Sequence, residues 1–159
     1  MEESGYLALG VFVALNIATA SSGAFFRPGD WYEELNRPWW RPPNWLFAPA
    51  WTLLYLLNAI AGWLVWRAAP ADLAVLMGLY GVSLLFNAAW SGIFFGLRRM
   101  DLAFFELMAL WASIALMIIL FGPVNPRAAQ LLYPYLGWVT FAGALNFAMW
   151  RMNRGRLAA

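Results

Sequence analysis

The residues of this chain with the most chemistry to offer are its tryptophans, eleven in 159 residues. An indole is amphipathic: its ring stacks on flat apolar surface while its N–H still seeks an acceptor. Four of them, Trp31, Trp39, Trp40 and Trp45, share a short stretch with Arg37, Pro38, Arg41, Pro42 and Pro43. Four more, Trp51, Trp90, Trp111 and Trp138, lie inside long apolar segments. Trp90 and Trp111 sit near the middle of theirs, deeper than the aromatic belt of a membrane surface reaches. Two arrangements suit such rings: packing against lipid and neighbouring helices, or convergence on a flat, π-rich ligand.

Much other chemistry is excluded. With no histidine and no cysteine, the usual zinc, iron–sulfur and haem-iron ligand sets are absent and no metal site is expected. Ser-His-Asp and Cys-His nucleophile systems are impossible. Ten arginines oppose eight acids, for a net charge of +2, but no basic run suggests a nucleic-acid partner.

The elements that must hold the tryptophans are membrane-crossing helices. The chain is 64% hydrophobic and 11% charged, against about 45–50% and about 25% in soluble domains. Five segments approach the roughly 20 apolar residues a helix needs to cross a bilayer: 6–26, 46–66, 73–97, 102–122 and 128–150. Arg27-Pro28, Arg67 with Pro70, Arg98-Arg99, Pro123 with Pro126, and Arg151 close them. No two-residue alternation suggests a barrel. The expectation is an all-α membrane protein, one domain over 1–159, with five transmembrane helices and a Trp/Pro-rich loop between the first two. Glu2 and Glu3 precede the first segment, so it reads as a span and not as a cleavable signal.

Five spans put the termini on opposite sides. One side collects Arg27, Arg37, Arg41, Arg98, Arg99, Arg151, Arg154 and Arg156; the other has Arg67 and Arg127. The positive-inside rule then places the Trp-rich loop and the C-terminus in the cytoplasm and the N-terminus outside. The prolines of residues 27–45 preclude a long helix, so the loop is expected to fold over the bundle's open end, with at least one of Trp31, Trp39 and Trp40 facing inward.

Within the spans, Asn16, Asn58, Asn87 and Asn146 read as interhelical hydrogen-bond glue or as cavity lining. Glu106 is the only acid more than a residue inside a span end, which argues against an ion-coupled pump or a voltage sensor. Ala88, Gly92 and Gly96 form a small-residue ridge at period four, suited to a homodimer contact or to close packing within the chain.

These residues resemble the translocator protein family (TspO/MBR, the tryptophan-rich sensory proteins and peripheral benzodiazepine receptors). The likeness is carried by Trp31-Tyr32, Arg37-Pro38-Trp39-Trp40-Arg41-Pro42-Pro43, Trp51-Thr52-Leu53-Leu54-Tyr55, Asn87-Ala88-Ala89-Trp90, Ile93-Phe94-Phe95-Gly96, Tyr133-Pro134-Tyr135-Leu136-Gly137-Trp138 and Leu145-Asn146. It spans residues from about 20 to 153 and suggests a bacterial member. The resemblance implies a five-helix bundle, usually dimeric, whose cavity opens toward the cytoplasm beneath the first loop and binds porphyrin or haem. Animal members also take cholesterol and benzodiazepine-type drugs. By position, the resemblance places the cavity at Ser21, Ala24, Phe47, Ala48, Trp51, Trp90, Trp138, Ala142 and Leu145, with Trp31, Trp39 and Trp40 in the lid. Phe147 stands where the animal proteins' sterol motif has a tyrosine, so tight sterol binding is not expected.

Three functions fit. The leading one is a porphyrin-binding sensor or regulator in a bacterial membrane, with indoles on the ring and Arg27, Arg37 or Arg41 on its propionates. No cofactor is expected to be tightly bound; Met149 would be a weak iron ligand at most. The second is light-dependent porphyrin breakdown, with Trp51 and Trp138 as electron donors. The third is a transporter of porphyrin, sterol or lipid, against which the odd span count and lack of internal repeat argue.

Overall fold

The computed structural model describes residues 2–26 and 28–156. Arg27, one of the expected propionate partners, lies outside the described residues, as do both chain ends. Every regular element among the described residues is helical: α1 Glu2–Phe25, α2 Asp30–Glu33, α3 Asn44–Ala68, α4 Leu73–Ser91, α5 Met100–Val124 and α6 Pro126–Met152. A π turn, Gly92–Gly96, extends α4, and a short 3-10 turn covers Arg154–Arg156.

Among the described residues, four stretches are long and apolar enough to cross a membrane: Gly5–Phe25, Asn44–Ala68, Leu73–Gly96 and Met100–Val124. The fifth expected span forms α6, which at 27 residues is as long as any but less apolar. Arg127, Gln130, Tyr133, Pro134, Tyr135, Thr140 and Asn146 dilute it. Burial explains how it carries them: Tyr135 and Asn146 are each 2% exposed against the neighbouring helices.

Local chemistry sets the ends. Asn125 caps α6, its side-chain oxygen accepting from the Arg127 and Ala128 N–H groups at 3.1 and 3.3 Å, and Pro126 fills the first helical position, where no N–H is needed. Ala69, at φ 44°, closes α3, and Arg98, at φ 55°, turns the chain from the π turn toward α5.

Midway along the helices, α1 packs on α3 and α4 through a buried polar knot. Asn16 Nδ2 donates to Tyr80 Oη at 2.6 Å, Asn58 Nδ2 donates to Asn16 Oδ1 at 2.9 Å, and Phe12 meets Tyr80 edge-on. Asn16 and Asn58 are thus the glue that one reading of the amides offered. The ridge on α4 is occupied within the chain: a Cβ on Gly92 or Gly96 would lie 3.4 or 3.1 Å from the Phe26 ring. Glu106 is half-buried, and neither carboxylate oxygen has a hydrogen-bond partner among the described residues.

Candidate functional site

The helices enclose a cavity of about 600 Å³ at the loop end of the bundle. From α3, Phe47, Ala48, Trp51, Thr52 and Tyr55 line it; from α4 and its π turn, Asn87, Trp90, Ser91, Phe94 and Phe95; from α5, Leu107 and Leu110; from α6, Trp138, Ala142, Leu145, Asn146 and Met149. The loop adds Pro28, Tyr32, Glu33, Arg41 and Asn44.

Helical spacing explains the α3 face. Trp51 and Tyr55 are one turn apart, and their rings stack at 5.5 Å and 29°. Trp51 also meets Tyr135 and Trp138 edge-on, at 6.3 and 6.4 Å, and so stands at the centre of the aromatic wall. Beneath it, Tyr55 Oη donates to Asn87 Oδ1 at 2.6 Å and Asn87 Nδ2 donates to Tyr135 Oη at 2.5 Å, so the floor is polar and satisfied. Trp90 Nε1 donates to Asn146 Oδ1 at 3.2 Å. Trp138 differs: its Nε1 is buried with no acceptor among the described residues. A buried donor left unsatisfied costs about 1–3 kcal/mol.

The π turn contributes what a plain α-helix would not. Leu97 N–H donates to the Gly92 carbonyl, five residues back, at 2.9 Å. The extra residue per turn brings Phe94 and Phe95 to the same wall as Trp90, with Trp90 stacked on Phe94 at 4.9 Å.

At the mouth the two candidate cations differ. Arg37 is committed, with Nη2 donating to the Tyr32 carbonyl and to Glu33 Oε2, both at 2.8 Å. Arg41 lines the cavity. It is held by neutral groups, with Nε donating to Tyr32 Oη at 3.0 Å and Nη2 to Asn44 Oδ1, and has no carboxylate partner among the described residues.

Of the positions expected in the cavity, Phe47, Ala48, Trp51, Trp90, Trp138, Ala142 and Leu145 line it together. Ser21 and Ala24 do not. On α1 the residues lining the cavity are Ala20, Ser22 and Gly23, and the Ser21 hydroxyl turns back to the Ile17 carbonyl. In the loop, Trp31 packs edge-on against Phe94 and Trp40 against Phe141, both half-buried beside the cavity and not in its wall. The expectation of an inward Trp39 is corrected: it is 95% exposed, because the turn closed by Arg41 N–H on the Pro38 carbonyl carries it outward. Trp111 is also outside, 37% exposed, donating to Thr140 Oγ1 across α5 and α6. Sequence reasoning missed Tyr55, Phe94, Phe95, Leu107 and Leu110. Tyr55 left a signal, one turn after Trp51, and Phe94 and Phe95 stood in a run that carries the family resemblance; Leu107 and Leu110 left none.

The TspO/MBR family model matches residues 9–151, nearly the whole of this arrangement. The chain belongs to the TspO/MBR family. It is similar to Protein CrtK of Rhodobacter capsulatus, 42% identical over 146 residues, 91% of each chain. It is 39% identical to the tryptophan-rich sensory protein of Cereibacter sphaeroides over 145 residues, 91% of this chain and 90% of that one. The human translocator protein is 39% identical over 128 residues, 79% of this chain and 76% of its own. As a TspO/MBR protein with four long apolar helices, it is a membrane protein.

Proposed function

We propose that this TspO/MBR protein is a tetrapyrrole-binding sensor or regulator that crosses the membrane five times, α6 being the fifth span, with the N-terminus outside and the cavity on the cytoplasmic side. One observation carries the reading: Trp51, Trp90 and Trp138 line one cavity whose mouth holds Arg41, a guanidinium with no carboxylate partner among the described residues, while Glu33 beside it is paired with Arg37. A flat apolar ring with acidic substituents matches both. The orphan Trp138 N–H adds a donor that a ligand acceptor reaching it would satisfy. The residues lining the cavity include no histidine or cysteine; the Tyr32 and Tyr55 hydroxyls are held by Arg41 and Asn87, which leaves the Met149 thioether as a weak iron ligand, so metal-free protoporphyrin is expected to bind about as well as haem.

The Arg41 role is tested with the ligand's acids. Tryptophan-fluorescence titration of Arg41→Gln is expected to show protoporphyrin binding weakened about fivefold, since a partly exposed charged hydrogen bond contributes on the order of 1 kcal/mol. The dimethyl ester of the same porphyrin should bind wild type and variant alike. An equal loss for acid and ester would remove Arg41 as the anion contact; no saturable quenching in the wild type would sink the function.

Orientation is tested by reporters at the two chain ends. A cytoplasmic reporter after Ala159 and an external one before Met1 are expected; both on one side would contradict five spans. A homodimer through α4 belongs to the same proposal. Since Phe26 covers Gly92 and Gly96, the face left for a second copy holds Val82 and Leu85, 43% and 70% exposed.

A second reading, light-dependent porphyrin breakdown, has its own observation in the contacts of Trp51 with Tyr55, Tyr135 and Trp138. An oxidisable indole at the centre of the wall would touch a bound ring.

A further inference from the structure

The course of α1 leaves one side of the cavity thinly walled. Over its first two thirds α1 is fastened to α3: Trp63 Nε1 donates to the Gly5 carbonyl at 2.8 Å, Gly62 abuts Phe12, and Asn16 bonds Asn58. Toward the loop it leans on α4 instead: a Cβ on Gly23 would lie 3.8 Å from Ser91 Oγ, and Phe26 is laid over Gly92 and Gly96. What faces the cavity between α1 and α3 at that level is small: Ala20 and Gly23 on one side, Ala48 and Thr52 on the other, all exposed. Thr52 turns its hydroxyl onto its own helix, donating to the Ala48 carbonyl at 2.8 Å. Beside the half-buried Ser22, which also lines the cavity from α1, the seam presents methyl groups and Cα hydrogens.

The loop cap is fastened by contrast. Tyr32 and Leu35 are 7% and 5% exposed, packed with Phe94, Met100, Leu145 and Met149. Asn153, 2% exposed, grips the cap across 117 residues of sequence. Its Oδ1 accepts from Asn36 N–H and its Nδ2 donates to the Asn36 carbonyl, both at 2.9 Å. The same Nδ2 donates to the Met149 carbonyl at 2.7 Å, which ties the latch to α6. An amide that satisfies both backbone groups of one residue in a dry site is costly to open.

We propose that ligand reaches the cavity sideways from the bilayer, through the Ala20–Gly23/Ala48–Thr52 seam, beneath a cap that stays latched by Asn153. The seam admits an apolar amphiphile already dissolved in lipid, with its acidic end held at the level of Arg41. This rests on the ring-binding reading of the same cavity, and adds the route and the phase from which the ligand comes.

The chain has no cysteine, so a Thr52→Cys variant carries a single thiol that a pyrenyl maleimide can plug. Wild type, plugged Thr52→Cys, Gly23→Leu and Asn153→Ala are reconstituted in liposomes, and protoporphyrin preloaded in the lipid is followed by the rate of tryptophan quenching. Circular dichroism establishes that each is folded, and Asn153→Asp, which keeps the acceptor for Asn36 N–H, stands in if Asn153→Ala is not. Both seam variants are expected to slow entry on the order of tenfold, equivalent to about 1.4 kcal/mol of added barrier. The latch variant is expected to leave the rate within about twofold, well under 1 kcal/mol. Entry that ignores the plug and Gly23→Leu, with or without acceleration by the latch variant, overturns the seam. Absence of saturable quenching in the wild type instead overturns the ring-binding reading and leaves no route to argue.

Discussion

Gly62→Ala is expected to destabilise the bundle by about 2 kcal/mol or more, the range for forcing a methyl group into a filled core. A Cβ at position 62 would lie 2.7 Å from Tyr80 Cε2 and 2.9 Å from two ring carbons of Phe12. Neither ring can yield cheaply. Tyr80 is tied through its hydroxyl to Asn16, and Phe12 meets Tyr80 edge-on, so moving either one disturbs the knot that joins α1, α3 and α4. Gly143→Ala is the control. Its Cβ would come as close, 2.9 Å, but to Met108 Cε, the end of a flexible thioether chain that can swing away; less than about 0.5 kcal/mol is expected. Thermal unfolding followed by helical circular dichroism in one detergent compares the two. Equal losses would mean that α1 can slide on α3, and that the knot does not fix the register of the first helix.

That register was also where the sequence was least legible. The long helices showed plainly, since apolar runs of this length have one use and the arginines and prolines mark their ends. α3 and α5 begin and end within two residues of the expected spans, and α4 with its π turn within one. The loop showed as an ordered cap, because indoles must leave water and prolines forbid a long helix. The aromatic wall of α3, α4 and α6 followed from motif positions. α1 did not: its polar residues Asn16, Thr19, Ser21 and Ser22 do not keep to one face, and the cavity is lined by Ala20, Ser22 and Gly23 instead of Ser21 and Ala24. The π turn was invisible for another reason. Its i→i−5 bond depends on the backbone path that Gly92 and Gly96 allow and on Phe26 filling the space beside them, a contact between residues about 70 positions apart. The same contact gives Gly92 and Gly96 a neighbour within the chain.

The tryptophans themselves give the last and sharpest test. Trp51→Phe and Trp138→Phe keep most of the apolar bulk of the wall but remove the indole N–H and the more easily oxidised ring. Porphyrin affinity is expected to fall only about threefold in each, because edge and stacking contacts of aromatic rings are worth about 0.5–1.5 kcal/mol and phenylalanine keeps part of them. Light-dependent loss of porphyrin absorbance, where the wild type shows it, is expected to slow about tenfold or more, the effect of raising an electron-transfer barrier by at least about 1.4 kcal/mol. Tyr55→Phe should leave that rate alone. The Tyr55 hydroxyl donates to an amide carbonyl, which is too weak a base to take the proton a phenol must lose on oxidation, so the stacked tyrosine supports Trp51 without replacing it as donor. Measuring Kd in the dark and bleaching under steady light on the same three variants separates the readings. Parallel losses in binding and bleaching would mean that Trp51 and Trp138 only hold the ring, and the protein would be a receptor alone. Bleaching that collapses while binding persists would make the aromatic wall a reaction site.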